Sequence, residues 1–341
     1  MKLLIYEYIT SGALAAQSLT SSLLKEGDAM LLAALKDCYH LPDCQLTILR
    51  DTRLPECAIT DNTVKLRTHA ITTIEQHDQR WQQCLNETDS VLIIAPETDG
   101  ILAYLQSQVE LKGKINLGSK ADAIRLCSDK LACDSALSKQ NLAITNGCLA
   151  HQWQSHAFES GSGYLIKPND GAGCLQTKFF ESRWSLESYL ATLTRKEQSQ
   201  HLIQPYVDGL NISILLLFSE TEFIVLAINE QLIKKENNDL HYLGSKVNSI
   251  PAHIYSIQQA SLLAETVQNV IPGLWGFVGI DIILTKNGPI IIDINPRLTS
   301  SYIGLAESLN CNPMLLLFNM KYPGMVALPA IEQRQAITVT K

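Results

Sequence analysis

The sequence predicts a mixed fold, α/β over the first third of the chain and α+β over the rest. Three observations carry this. Apolar runs such as "KLLIYE" and "VLIIAPE" alternate with helix-length segments up to residue 117. Shorter strand-like runs with Gly, Asn and Asp between them follow. The last third then sets "NISILLLF", "EFIVLAINEQLI", "FVGIDIILT" and "PIIIDINP" around one helical stretch, "SIQQASLLAETVQNV", the pattern of an antiparallel sheet.

A chain of 341 residues is long enough for two or three packed units. The composition shifts place them at 1–117, 118–205 and 206–341. The net charge of −7 argues against a nucleic-acid or acidic-membrane partner, while leaving room for a local basic pocket. Nine cysteines, with no Cys-x-x-Cys, read as reduced thiols of a cytoplasmic protein rather than metal ligands. "MKLLIYEYITSG" is too short for a secretory core, and "NISILLLF" is too short to span a membrane.

In the first third, "KLLIYE" is a strand with Leu3, Leu4 and Ile5 in the core. "SSLLKEGDAMLLAALKDC" is a helix, "LTIL" a strand, and "HAITTIEQHDQRWQQCL" a helix. "VLIIAPE" is a strand, "DGILAYLQSQ" a helix and "KINLGS" a short strand. Helices between strands imply βαβ units and a parallel sheet covered on both faces. The loop after the first strand keeps only Gly12 of a G-x-G-x-x-G pattern, so no dinucleotide fingerprint is present. In the middle, Ser128 is the expected N-cap of the helix "SDKLACDSALSKQ". "GYLIKPNDGAGC", "QTKFFES", the helix "SLESYLATL" and "HLIQPYVDG" complete a small lobe. The polar stretch "KKENNDLHYLGSK" is either a lid or an exposed loop.

Four features carry candidate chemistry. The first is the hairpin "GIDIILTKNGPIIIDINPR". A two-residue Asn-Gly loop would put Asp281 opposite Ile294. A three-residue loop with Gly288 in a left-handed bulge would pair Thr285 with Pro289 and set Asp281 against Asp293. The second arrangement is predicted, with Asn295 on the same face. Two carboxylates and an amide oxygen offer hard donors suited to Mg²⁺ or Mn²⁺. The plainer alternative is a solvated strand end paired with Arg297. The second feature is Lys167, ahead of the small-residue loop that holds Gly171 and Gly173, either an anion cradle or a simple turn. The third is Lys130 in the first turn of its helix, either a phosphate contact or a solvated side chain. The fourth is Gln204-Pro205-Tyr206-Val207-Asp208, either an adenine and ribose contact or a crossover between lobes.

In this order and spacing, the four features over residues 118–310 resemble the ATP-grasp superfamily. There two lobes grip ATP, and the last strands hold magnesium through an acid followed by an acid-x-Asn-Pro-Arg run. The first third is similar to the Rossmann-like domain that precedes many such cores. The resemblance implies ATP and Mg²⁺ (or Mn²⁺), with Asp281, Asp293 and Asn295 as metal ligands. Lys130 and Lys167 would touch the phosphates, and the 169–174 loop, with Gly171 and Gly173, would close over them. Gln204, Tyr206 and Val207 would border the adenine, and Asp208 the ribose. Arg297 and Lys167 are the catalytic candidates. The Gln204 and Asp293 positions are often glutamates in the superfamily. The implied activity joins a carboxylate to an amine through an acyl phosphate, in the cytoplasm, and ligases of this superfamily are often homodimers. "YEYITSGAL", "LLKEGDAMLLAALKD" and "INEQLI…HYLGSKVNSIP" look like the branch of tyramine–glutamate ligases of methanofuran biosynthesis. Dipeptide or D-alanine-type ligases and small-molecule kinases of the same superfamily are the alternatives.

Overall fold

The computed structural model describes residues 1–57, 65–156, 158, 162–171, 174–324, 331 and 334–341. The chain opens with β1 (Lys2–Glu7), α1 (Ser21–Cys38), β2 (Gln45–Asp51), β3 (Lys65–Ile71) and α2 (Ile74–Glu87). It continues with β4 (Ser90–Ile94), α3 (Ile101–Leu111) and β5 (Ile115–Asn116). The five strands pair in parallel, in the order β3-β2-β1-β4-β5. β1 and β4 are buried almost throughout, as unbroken apolar runs require when helices cover both sheet faces. β3 corrects the sequence reading. His69, Ala70 and Ile71 belong to a strand, and the helix starts only at Ile74, capped by Thr73. β3 is the sheet edge, so "KLRTHAI" is polar enough to hide its strand character. Gly12 has φ +90°, and a Cβ there would lie 2.3 Å from the Ile71 side chain. Its role is close packing at a turn rather than phosphate contact.

The second part comprises α4 (Ala121–Ser128), α5 (Lys130–Ser138), β6 (Cys148–Leu149), β7 (Tyr164–Pro168), β8 (Lys178–Phe180), α6 (Arg183–Leu190), α7 (Arg195–Gln200) and β9 (His201–Pro205). Then come β10 (Leu210–Phe218), β11 (Phe223–Glu236), β12 (Asp239–Val247), α8 (Ile257–Val270), β13 (Gly276–Thr285), β14 (Gly288–Asn295), α9 (Leu305–Leu309), α10 (Pro313–Lys321) and β15 (Ile337–Thr340). Asp129, not Ser128, caps α5, accepting from the Ala132 N–H at 3.0 Å. Ser128 instead closes α4, and its hydroxyl donates to the Ile124 carbonyl.

An antiparallel sheet runs through both lobes in the order β14-β13-β10-β11-β12-β8-β7-β9-β6, with β15 added on β12. The lobes meet where Asp239 of β12 pairs with Lys178 of β8. The stretch 234–246 is not a plain exposed loop. It is the β11–β12 hairpin, turning at Asn237, whose φ is +54°. The sequence reading missed it because exposed polar residues on a hairpin tip carry no apolar alternation.

One apolar cluster joins Leu3, Ile5 and Leu35 of the first domain to Leu215, Phe277 and Leu317 of the last. The Tyr302 hydroxyl donates to Asp37 on α1 at 2.5 Å, and the Asn312 amide donates to the Asp37 carbonyl at 2.7 Å. The parallel sheet is thereby docked against the C-terminal lobe, with the loop after β4 turned toward the large sheet.

At the end of β1, Glu7 is only 3% exposed, and burial pushes its carboxyl from 4.5 up to about 7. N–H groups of Ile9 and Thr10 donate to it and partly offset that cost. The folded state therefore favours protonated Glu7. Its contribution is whole below the unfolded value and is lost as pH rises through the folded one. Relative to wild type, Glu7→Gln is expected to gain on the order of 2 kcal/mol of stability between about pH 5 and pH 8. Glutamine gives up one acceptor, but that cost does not vary with pH. Melting curves of both proteins across this range check it, and a flat difference would refute it.

Candidate active site

The site is built on the β13–β14 hairpin. Thr285 pairs with Gly288, so the loop is Lys286-Asn287, neither of the two loops considered from sequence. Gly288 has φ +115°, a conformation open to glycine. Carried along the strands unchanged, this register would set Asp281 against Ile292. A bulge prevents it: Ile282 pairs with Ile291, and Asp281 pairs with Asp293. Ile292 is the extra residue. The predicted juxtaposition of Asp281 and Asp293 is therefore present, with a different cause.

The bulge has a second consequence. It leaves the Ile292 carbonyl facing the cleft, where it accepts from Lys167 Nζ at 3.4 Å. Lys167 is the penultimate residue of β7, and burial pushes its ammonium below the usual range, with Lys130 adding to the shift. Lys130 Nζ donates to both oxygens of Asp293, at 3.0 and 2.8 Å. Burial opposes the Lys130 ammonium, yet the charge and hydrogen bonds of Asp293, with the charges of Glu97 and Asp281, together outweigh it, and the pKa is raised. Asn295 Nδ2 donates to Asp281 at 3.1 Å. Burial and the neighbouring Asp293 charge push the Asp281 carboxyl up to about 6.

Lys130 acts through its ammonium rather than through the end of its helix. The Lys130 N–H goes to the Asn169 carbonyl, the Leu131 N–H to the Asn169 side chain, and the Ala132 N–H to Asp129. Asn169 also donates to Asp129 at 2.9 Å, so the start of the small-residue loop is clamped to α5. Gly171 lines the cleft, and a Cβ there would press on Pro168 at 3.0 Å. Gly173, predicted as a phosphate contact, lies outside the described residues.

Gln204 is buried, and its side-chain oxygen accepts from Thr145 at 3.2 Å. Tyr206 stacks edge-on against Phe179, with ring centroids 4.8 Å apart. Its N–H is taken by the Gly163 carbonyl, so it is not a donor to a base. The Val207 N–H has no hydrogen-bond partner among the described residues. Lys130, Lys167, Gln204, Tyr206, Val207 and Asp293 all line one cavity of about 240 Å³. Asp281, Asn295 and Arg297 line it too. Asp208 does not. It borders a separate groove along the Thr285–Ile290 turn, because the crossover turns outward there.

Arg297 shows what the sequence reading missed. Its Nε donates to Glu97 at 2.8 Å, and its Nη1 donates to the Leu298 carbonyl at 3.2 Å. Glu97 lies just beyond β4, is 5% exposed, and keeps its other oxygen unpartnered among the described residues. The Asp99 N–H donates to Asp170 at 3.0 Å, tying the same loop to the small-residue loop. A ligand-facing position just past a buried parallel strand was the available signal.

Asp281 and Asp293 face each other as like charges, an arrangement that a hard cation stabilises. With the Asn295 amide, these donors fit a divalent metal. Among the described residues no group of three His, Cys, Asp or Glu forms another metal site. No described helix is long and apolar enough to cross a membrane, and all nine cysteines are free.

The ATP-grasp domain matches residues 127–301, and the pre ATP-grasp 3 domain matches residues 44–124. The chain belongs to the ATP-grasp family, whose members use ATP and a divalent metal. The tyramine–L-glutamate ligase of Methanocaldococcus jannaschii is 25% identical over 321 residues, covering 92% of this chain and 88% of that one. An ATP-grasp superfamily protein from Archaeoglobus fulgidus shares the fold with a TM-score of 0.70 and 24% identity, over 94% of this chain and 88% of that one. The L-amino acid ligase of Bacillus licheniformis does so with a TM-score of 0.63 and 15% identity, over 94% and 73%.

Proposed function

We propose that this chain is an ATP-dependent carboxylate–amine ligase that joins the γ-carboxylate of L-glutamate to the amine of tyramine, in the assembly of a methanofuran-type cofactor. The cluster that carries the reading is Lys130, Lys167 and Arg297 around the Asp281–Asp293 pair in one cavity. That arrangement gathers three cations where a triphosphate would lie and two carboxylates where its metal would sit.

A carboxylate oxygen attacks the γ-phosphorus, and ADP leaves. The amine nitrogen then attacks the acyl carbon of the acyl phosphate, phosphate leaves, and the nitrogen loses a proton. Lys130 and Lys167 bind the phosphates. Arg297, held by Glu97, orients the group in transfer, so the residues act by position and charge. Asp281, Asp293 and Asn295 would hold the metal, Mg²⁺ or Mn²⁺, which supplies charge neutralisation at the phosphates. Tyr206 and Gln204 border the base, and Gly171 gives backbone access to the phosphates. Asp208 reaches the ribose only if the crossover closes inward. The free cysteines favour a reducing cytoplasm.

The test is product analysis with ATP, Mg²⁺, L-glutamate and tyramine. ADP and phosphate in equal amounts, released only with both substrates present, are expected. AMP and pyrophosphate, or a phosphorylated alcohol without free phosphate, would overturn the reading.

A further inference from the structure

One carboxylate facing the cavity has no part in the reaction just described. Glu26 stands on α1, next to Gly27. A Cβ on Gly27 would lie 2.6 Å from Glu7 Oε1, so its absence lets α1 sit close on the end of β1. That approach brings Glu26 to the wall of the cavity that holds Lys130, Lys167 and Arg297. Tyr242 of β12 lines the same wall. The Glu26 charge acts on both Arg297 and Tyr242, which places this corner beside the transfer site.

An ammonium already sits against Glu26. Lys341 Nζ lies 3.0 Å from Glu26 Oε2 and 5.7 Å from the centroid of the Tyr242 ring. β15 delivers it: Thr340 pairs with Gly244, and the Lys341 N–H donates to the Leu243 carbonyl at 3.0 Å. The Lys341 and Glu26 side chains are only 14% and 20% exposed, so the pair is partly withdrawn from water. Among the described residues Lys341 is the cation paired with Glu26.

A carboxylate against an aromatic face is chemistry for a primary ammonium. It does not suit the attacking amine, because a neighbouring carboxylate keeps an amine protonated and unreactive. It suits an ammonium that stays charged through the reaction. We infer that Glu26 and Tyr242 form the subsite for the non-reacting ammonium of the amino-acid substrate, and that the Lys341 ammonium fills it until substrate displaces it. The substrate class rests on the ligase reading. The subsite itself rests on the seated ammonium.

Two arms test this. With tyramine as amine, wild type should prefer L-glutamate to glutarate, which lacks the ammonium. Glu26→Gln should cut that preference in kcat/KM about tenfold. Lys341→Met, which removes the competing charge, should lower the KM for L-glutamate about threefold or more. An unchanged preference in Glu26→Gln, or a raised KM in Lys341→Met, overturns the proposal. The latter would mean that Lys341 holds the acid's carboxylate. The second arm needs no turnover. Calorimetry should show saturable binding of ethylammonium to Lys341→Met and none to the Glu26→Gln/Lys341→Met double variant. No binding to Lys341→Met overturns the subsite. Binding as expected, with no acid–amine pair supporting ADP release, supports the subsite and overturns the ligase reading. Melting temperatures report that the variants are folded.

Discussion

Asp293→Ala is expected to abolish turnover, lowering ADP formation by about 10³-fold or more. The side chain does two things at once. It is one of the two carboxylates available to the metal, and it is the counter-ion of Lys130, both of whose bonds end on it. Lys130 is 8% exposed. Stranding it without a partner costs about 3–5 kcal/mol while it stays charged. The loss is offset in part because Asp281 sheds a like charge that now pushes its carboxyl up. A moderate fall in melting temperature is therefore expected beside the complete loss of rate. Calorimetric titration with ATP and Mg²⁺ separates the two effects, since a folded Asp293→Ala should bind the nucleotide with little gain from metal. A variant that kept its rate and its metal dependence would remove Asp293 from the metal site.

Arg297→Lys is expected to lower kcat about 10²-fold although the charge is kept. The guanidinium is fixed on one side by Glu97 and on another by the Leu298 carbonyl, so its remaining donors point in a set direction. A lysine ammonium cannot hold Glu97 and a phosphoryl oxygen with the same planar geometry. The effect should fall on kcat more than on the KM for ATP, because an orienting contact matters most where charge moves. Steady-state rates across ATP concentrations check this. A change within about threefold would mean that Arg297 is only a structural tie between the first domain and the hairpin.

Most of the fold was legible because burial writes itself into local pattern. β1 and β4 are unbroken apolar runs, and they are central strands of a covered sheet. Edge strand β3 and the tip of the β11–β12 hairpin were illegible for the converse reason, since their residues face water. In the site, Asp293 and Asn295 share a face because they are two apart on one strand. Lys167 is at a strand end because an apolar run stops there. These are local facts.

Register and docking are not local. The juxtaposition of Asp281 with Asp293 depends on a bulge at Ile292, and no residue type in "PIIIDIN" announces it. Asp208 was grouped with Gln204 by proximity in the chain, yet it turns into another groove. Glu26 reaches the cavity, Glu97 reaches Arg297 and Lys341 reaches Glu26 only because a shared apolar core presses the first domain onto the last and β15 pairs with β12. By itself, then, the sequence determined the elements, the side-chain parity within each strand and the chemical kinds of donor. The tertiary structure alone decided which of those donors meet, because cross-strand register and domain docking are set by packing between residues far apart in the chain.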